Sequence, residues 1–91
     1  MLYYIMLKKL LVEFFGTVIF LGVILTTGEA IPIGLALATS IYFGGKISGG
    51  HFNPAVTLMM LANKKIKNVE ALGYIAVQIL GGLCALSFIN M

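Results

Sequence analysis

The residues that could do chemistry lie in one stretch, Ser48-Gly49-Gly50-His51-Phe52-Asn53-Pro54-Ala55-Val56-Thr57. Asn53 followed by Pro54 is a strong helix-start signal: asparagine is a preferred N-cap, and proline, which has no amide hydrogen, suits the first helical position. If Asn53 caps that helix, its side-chain oxygen accepts from the amides near Ala55 and Val56, and its NH2 group stays free to donate. The carbonyls of Gly49, Gly50, His51 and Phe52, on an extended path without Cβ bulk at the glycines, would form a row of acceptors leading to that donor. A helix start also carries unpaired amide hydrogens and about half a positive charge, which disfavours cations there. Acceptors ending at such a donor suit a file of water or small polyols. Other chemistry finds little support. His51 has no Cys, Asp, Glu or second His at ligand spacing, so neither a metal nor another cofactor is expected. With no nucleophile–base pair and no phosphate loop in the sequence, the expectation is that the chain is not an enzyme.

The elements that must hold this stretch follow from composition. Of 91 residues, 60% are apolar and only 10% charged, and the mean hydropathy is +1.07. An average soluble chain is roughly a quarter charged, and a small domain has a large surface to cover. The balance points to lipid as the solvent and excludes an autonomous soluble enzyme and a disordered tail. A single cysteine, Cys84, excludes a disulfide scaffold, and six scattered lysines with no arginine make no nucleic-acid footprint.

Leu10 to Thr27 is apolar apart from Glu13 and a few small or hydroxyl residues, and as a helix it covers about 27 Å, enough for a bilayer core. A signal peptide with Lys8 and Lys9 as its basic region and a cleavage site near Gly28-Glu29-Ala30 is the rival reading. Glu13 inside the apolar run, and the further apolar segments, argue against it. After a turn at Gly28-Glu29-Ala30, a second span is expected over 29–46, with Pro32 tolerated in its first turn. A third is expected over 69–89, reaching back to Asn68 at most, with Gly73, Gly81, Gly82 and Ala85 allowing close helix approach. Gln78, in mid-span, must find a partner inside protein. Between the last two spans, 47–63 is too apolar for an exposed loop and too glycine-rich for a spanning helix. It reads as a re-entrant element, irregular from Ser48 to Phe52, then a short helix from Pro54 to about Ala62. Such a helix spans roughly 15 Å, half the hydrocarbon thickness, and returns the chain to the side marked by Lys64, Lys65 and Lys67. The expected fold is therefore an all-α membrane protein, one unit over 1–91, with three transmembrane helices and one re-entrant half-helix. Glu13 reads as a buried acceptor rather than an interfacial charge beside Lys8 and Lys9, and Tyr3, Tyr4 and Tyr74 read as interface anchors.

The ten residues from Ser48 to Thr57 resemble the first Asn-Pro-Ala loop of the major intrinsic proteins, the aquaporins and glycerol facilitators, and are most similar to bacterial water channels. Val12-Glu13-Phe14-Phe15-Gly16-Thr17 resembles the first-helix signature of that family, and Gly73-Tyr74 with Gln78 and Gly81-Gly82 its third helix. The resemblance covers the whole chain but only the first of the family's two inverted repeats. It implies that Asn53 donates to a central water, that the carbonyls of Gly49 to Phe52 line one half-pore, and that Glu13 and Gln78 brace the re-entrant loop. Ile33 stands twenty residues before Asn53, where water channels of the family usually place an aromatic side chain in the selectivity constriction. The turn after the first helix is short, and no second Asn-Pro-Ala and no filter arginine occur before Met91. One half-helix cannot close such a pore, since the positive ends of two must meet at the midplane. The expected function is a passive channel for water or small neutral solutes in a lipid bilayer, completed by a second copy or a second-half partner. The alternative is a non-conducting structural or regulatory membrane protein. With the amino terminus cytoplasmic, all six lysines fall on one side, which favours a single orientation and counts against an antiparallel homodimer.

Overall fold

A computed structural model describes residues 1–91 as four helices with no strand: α1 (Leu2–Thr27), α2 (Ala30–Ser48), α3 (Pro54–Ala62) and α4 (Asn68–Ile89). Helix α1 begins eight residues before the expected span at Leu10, because nothing between Leu2 and Lys9 breaks a helix. It stops at Gly28, whose φ of 63° is open to glycine at little cost and whose amide donates to the Ile24 carbonyl. Helix α2 runs two residues past its expected end and closes in the same way at Gly49, with φ 94°. The irregular stretch is therefore 49–53, one residue later than expected.

The direction of the helices follows from their contacts. Lys9 pairs with Glu70, Leu10 lies against Gly73, Glu13 meets Gln78 and Thr17 lies against Gly81, so α1 and α4 run side by side in parallel. Helix α2 returns antiparallel to α1, bringing Gly44 against Val12. The chain between α2 and α4 therefore enters the protein and comes back to the end it left. Its depth is gauged by Thr57, in the first turn of α3, which touches Gln78, the eleventh of the twenty-two residues of α4. The start of α3 thus lies halfway along a helix about 33 Å long. Three of the helices are long and apolar enough to cross a membrane.

The pattern of burial is inverted relative to a soluble domain. Only 13 of 91 residues are buried, and Glu13, Thr17, Ser48, His51, Thr57 and Gln78 are among them, while leucines, isoleucines and phenylalanines cover the outside. A polar interior inside an apolar shell is the arrangement that lipid selects. Tyr74 departs from expectation. Tyr3 and Tyr4 are exposed, but Tyr74 is buried and its hydroxyl donates to the Ser48 carbonyl. It shares a stripe of α4 with Ala71, Gln78, Gly81 and Ala85, spaced three and four residues apart, and that stripe faces inward.

Helix approach depends on missing side chains. A Cβ on Gly16 would lie 2.1 Å from the Phe52 ring, and one on Gly81 would lie 3.0 Å from the Phe14 carbonyl oxygen. The Phe52 ring fills the notch that Gly16 and Gly44 leave between α1 and α2. Gly16→Ala is therefore expected to cost about 1–3 kcal/mol through overpacking. Gly34→Ala, where nothing lies within 4 Å, is expected to leave stability unchanged or slightly raised. Thermal unfolding of both variants in detergent, followed by circular dichroism, checks the difference.

Candidate functional site

The site is built around one carboxylate. Glu13, on α1, is fully buried and accepts four hydrogen bonds. Its Oε2 takes the Ser48 hydroxyl at 2.7 Å and the His51 amide at 3.0 Å, and its Oε1 takes the Phe52 amide at 2.8 Å and Gln78 Nε2 at 3.0 Å. Two amides of an irregular loop, left without helical partners, are thereby satisfied at membrane depth, and the carboxylate gains the donors that make its own burial tolerable. Glu13 holds the loop directly, while Gln78 bonds Glu13 and, in α3, Thr57.

The loop is more contorted than the extended path expected from sequence. Gly49, Gly50 and Phe52 all have positive φ, at 94°, 66° and 54°. Glycine accepts this freely, but Phe52 does not, and a non-glycine residue there persists only where its surroundings hold it. Its buried ring in the Gly16 notch and its amide on Glu13 do so. None of the backbone bonds outside the helices occupies the carbonyls of Gly49, Gly50, His51 or Phe52. The Ser48 hydroxyl both donates to Glu13 and accepts from the Gly50 amide at 3.1 Å.

Asn53 caps α3. Its Oδ1 accepts from the Ala55 amide at 2.8 Å, Pro54 takes the first helical position, and the exposed Asn53 NH2 group makes no bond within the chain. His51, buried between the loop and α4, has Nδ1 2.8 Å from Thr57 Oγ1 and its ring 5.0 Å from that of Tyr74. Gly49 and His51 line a cavity of about 400 Å³ at the lysine end, with Lys9, Asn63, Lys65 and Glu70 around its mouth. On another side, Pro54 and Gln78 border an apolar groove of about 460 Å³ with Leu21, Leu25 and Leu83. Ile33 is not brought to this cluster. It is half-buried near the start of α2, at the end away from the lysines, and lines neither cavity.

Two residues given no role in the site from sequence, Thr57 and Tyr74, complete it. Thr57 is fully buried and joins His51 to Gln78, and Tyr74 holds the last carbonyl of α2. Both were signalled: Thr57 stands one turn after Asn53 as a lone hydroxyl in an apolar half-helix, and Tyr74 stands one turn before Gln78.

The family model for major intrinsic proteins matches residues 3–91. The chain is 47% identical over 88 residues to glycerol uptake facilitator protein-like 6 of Lactiplantibacillus plantarum, covering 87% of this chain and 41% of that protein. It is also 47% identical over 58 residues to aquaporin Z of Photorhabdus laumondii, covering 64% of this chain and 25% of that protein. With the lens fiber major intrinsic protein of Gallus gallus it shares 38% identity over 88 residues, 84% of this chain and 34% of that one. The chain thus spans between a quarter and two-fifths of the length of these relatives.

Removing the negative charge tests the centre of the site. Glu13→Gln has one acceptor oxygen where the carboxylate has two, and turns an NH2 group toward donors. It is expected to destabilise the fold by roughly 2–3 kcal/mol and to free residues 49–53. A lower melting temperature together with faster proteolysis of that loop in detergent is the expected result.

Proposed function

The chain belongs to the major intrinsic protein family of membrane channels, and we propose on that footing that it forms one half of a passive pore for water or small neutral solutes. The observation that carries this reading is the start of α3. A helix end capped by Asn53, whose own NH2 group makes no bond within the chain, lies about midway along the spanning helices, beside unoccupied loop carbonyls. Acceptors from Gly49 to Phe52 hand a file of solute oxygens and hydrogens to the Asn53 NH2 group, and the positive helix end repels protons and other cations. Ile33 and Asn53 line the two levels of the path, one near the Glu29 end and one at the centre.

The pore is completed by a second repeat in the opposite orientation, from another copy of the chain or from a second-half partner. Its half-helix meets Pro54 over the apolar groove that Gln78 borders, where the Gln78 Oε1 atom is buried with no donor. The lysines bear on how such copies insert. Lys9 and Lys65 share one cavity, and Lys46, Lys64 and Lys67 lie at the same end, a clustering that supports a cytoplasmic amino terminus under the positive-inside rule. That bias favours a partner with its own orientation over an inverted copy.

Reconstituted vesicles test the reading. The parent protein is expected to accelerate osmotic shrinkage. Asn53→Asp, which keeps the capping oxygen and replaces the free donor by an acceptor, is expected to return it to the lipid background while melting like the parent. No rate above background in either protein supports a non-conducting structural role instead, and equal rates above background take the Asn53 NH2 group out of the path. The mass of the native complex, measured from membranes, separates self-assembly from a second-half partner.

A further inference from the structure

The buried chain Glu13–Gln78–Thr57–His51 fixes where a proton sits. Gln78 Nε2 lies 3.0 Å from Glu13 Oε1 and 3.0 Å from Thr57 Oγ1, so its two hydrogens are both used. Turning the amide over would set its oxygen against the carboxylate and leave two amide hydrogens unpaired, in place of the one unpaired Oε1. Thr57 Oγ1 therefore accepts from Gln78. The remaining partner for its own hydrogen is His51 Nδ1 at 2.8 Å, and Thr57 is fully buried, so a hydroxyl hydrogen left unpaired there is disfavoured roughly tenfold or more. Nδ1 is then an acceptor, and a neutral imidazole that accepts at Nδ1 carries its hydrogen on Nε2.

Nε2 has no partner within the chain and is not enclosed, and His51 lines the 400 Å³ cavity at the lysine end. The Tyr74 ring, 5.0 Å away and anchored through its hydroxyl to the Ser48 carbonyl, holds the imidazole plane. We propose that His51 is locked in the Nε2–H form by this relay and donates from Nε2 to a neutral oxygen entering from the lysine end, water or a solute hydroxyl. Thr57, Gln78 and Glu13 are its positioning residues. A group that accepts finds a donor here in a cavity that Gly49 also lines, whereas a bare cation meets the Nε2 hydrogen. The consequence for permeation rests on the pore reading above; the proton's location does not.

The chain has a single histidine, so nitrogen-15 labelling of histidine gives one imidazole to read. In solid-state magnetic resonance of the protein in lipid bilayers, the expected spectrum shows a protonated Nε2 that exchanges magnetisation with water and an unprotonated Nδ1 moved upfield by an accepted hydrogen bond. Thr57→Val is expected to move Nδ1 downfield to the position of a ring nitrogen with no donor, and Thr57→Ser to leave it in place. A hydrogen on Nδ1 in the parent overturns the proposal, as does an Nε2–H without water contact or an Nδ1 shift indifferent to Thr57→Val. Should Thr57→Val fail to fold, the parent spectrum alone decides. The expected spectrum without osmotic permeability retains the relay and removes the pore; permeability with hydrogen on Nδ1 does the reverse.

Discussion

The fold depends on a carboxylate buried where a charge is expensive. Glu13 stands near the middle of α1, and without its acceptors the loop from Gly49 to Asn53 would hold unpaired amides inside the protein at membrane depth. Lipid supplies no substitute, and each unsatisfied group there costs several kcal/mol. The dependence is mutual, since the carboxylate is tolerable only because donors from α2, the loop and α4 converge on it. One side chain thus ties the end of α2, the turn into α3 and the middle of α4 to α1, and the remaining polar groups arrange themselves around that knot.

Shape does the rest. Apolar attraction between helices is weak in a bilayer because lipid tails are as apolar as leucine, so contact must come from close fit and hydrogen bonds. Gly16, Gly44 and Gly81 provide the fit by leaving room for the Phe52 ring, Val12 and the α1 backbone. The same notch holds Phe52 at a φ that a phenylalanine seldom adopts. The loop's unusual path and the tight α1–α2 contact are therefore two aspects of one packing arrangement.

Much of this was legible in the sequence, and the reason differs from residue to residue. The three spans and the half-helix follow from apolar run length, and the start of α3 at Pro54 follows from local chemistry that needs no tertiary contact. Glu13 and Gln78 announce themselves because a charge or amide in an apolar run must have a partner. The amino end of α1 lies eight residues before the apolar run, since hydropathy marks where lipid begins and says nothing of where a helix does. Tyr74 misled because tyrosine at a helix end suits the interface equally well, and only its register with Gln78 separates the two. The left-handed turns at Gly49 and Gly50 are permitted by glycine, but the one at Phe52 arises from distant contacts with Gly16 and Glu13 that local sequence does not encode.

The parallel pairing of α1 and α4 has a topological consequence. Three crossings is an odd number, and the re-entrant excursion adds none, so the polypeptide leaves on the face opposite to the one from which it started. A duplicate of this unit appended in tandem must therefore thread the bilayer upside-down, with its own stub helix aimed back at the first. Pseudo-twofold symmetry about an axis lying in the plane of the sheet then arises from parity alone, with no inverted insertion of identical subunits required.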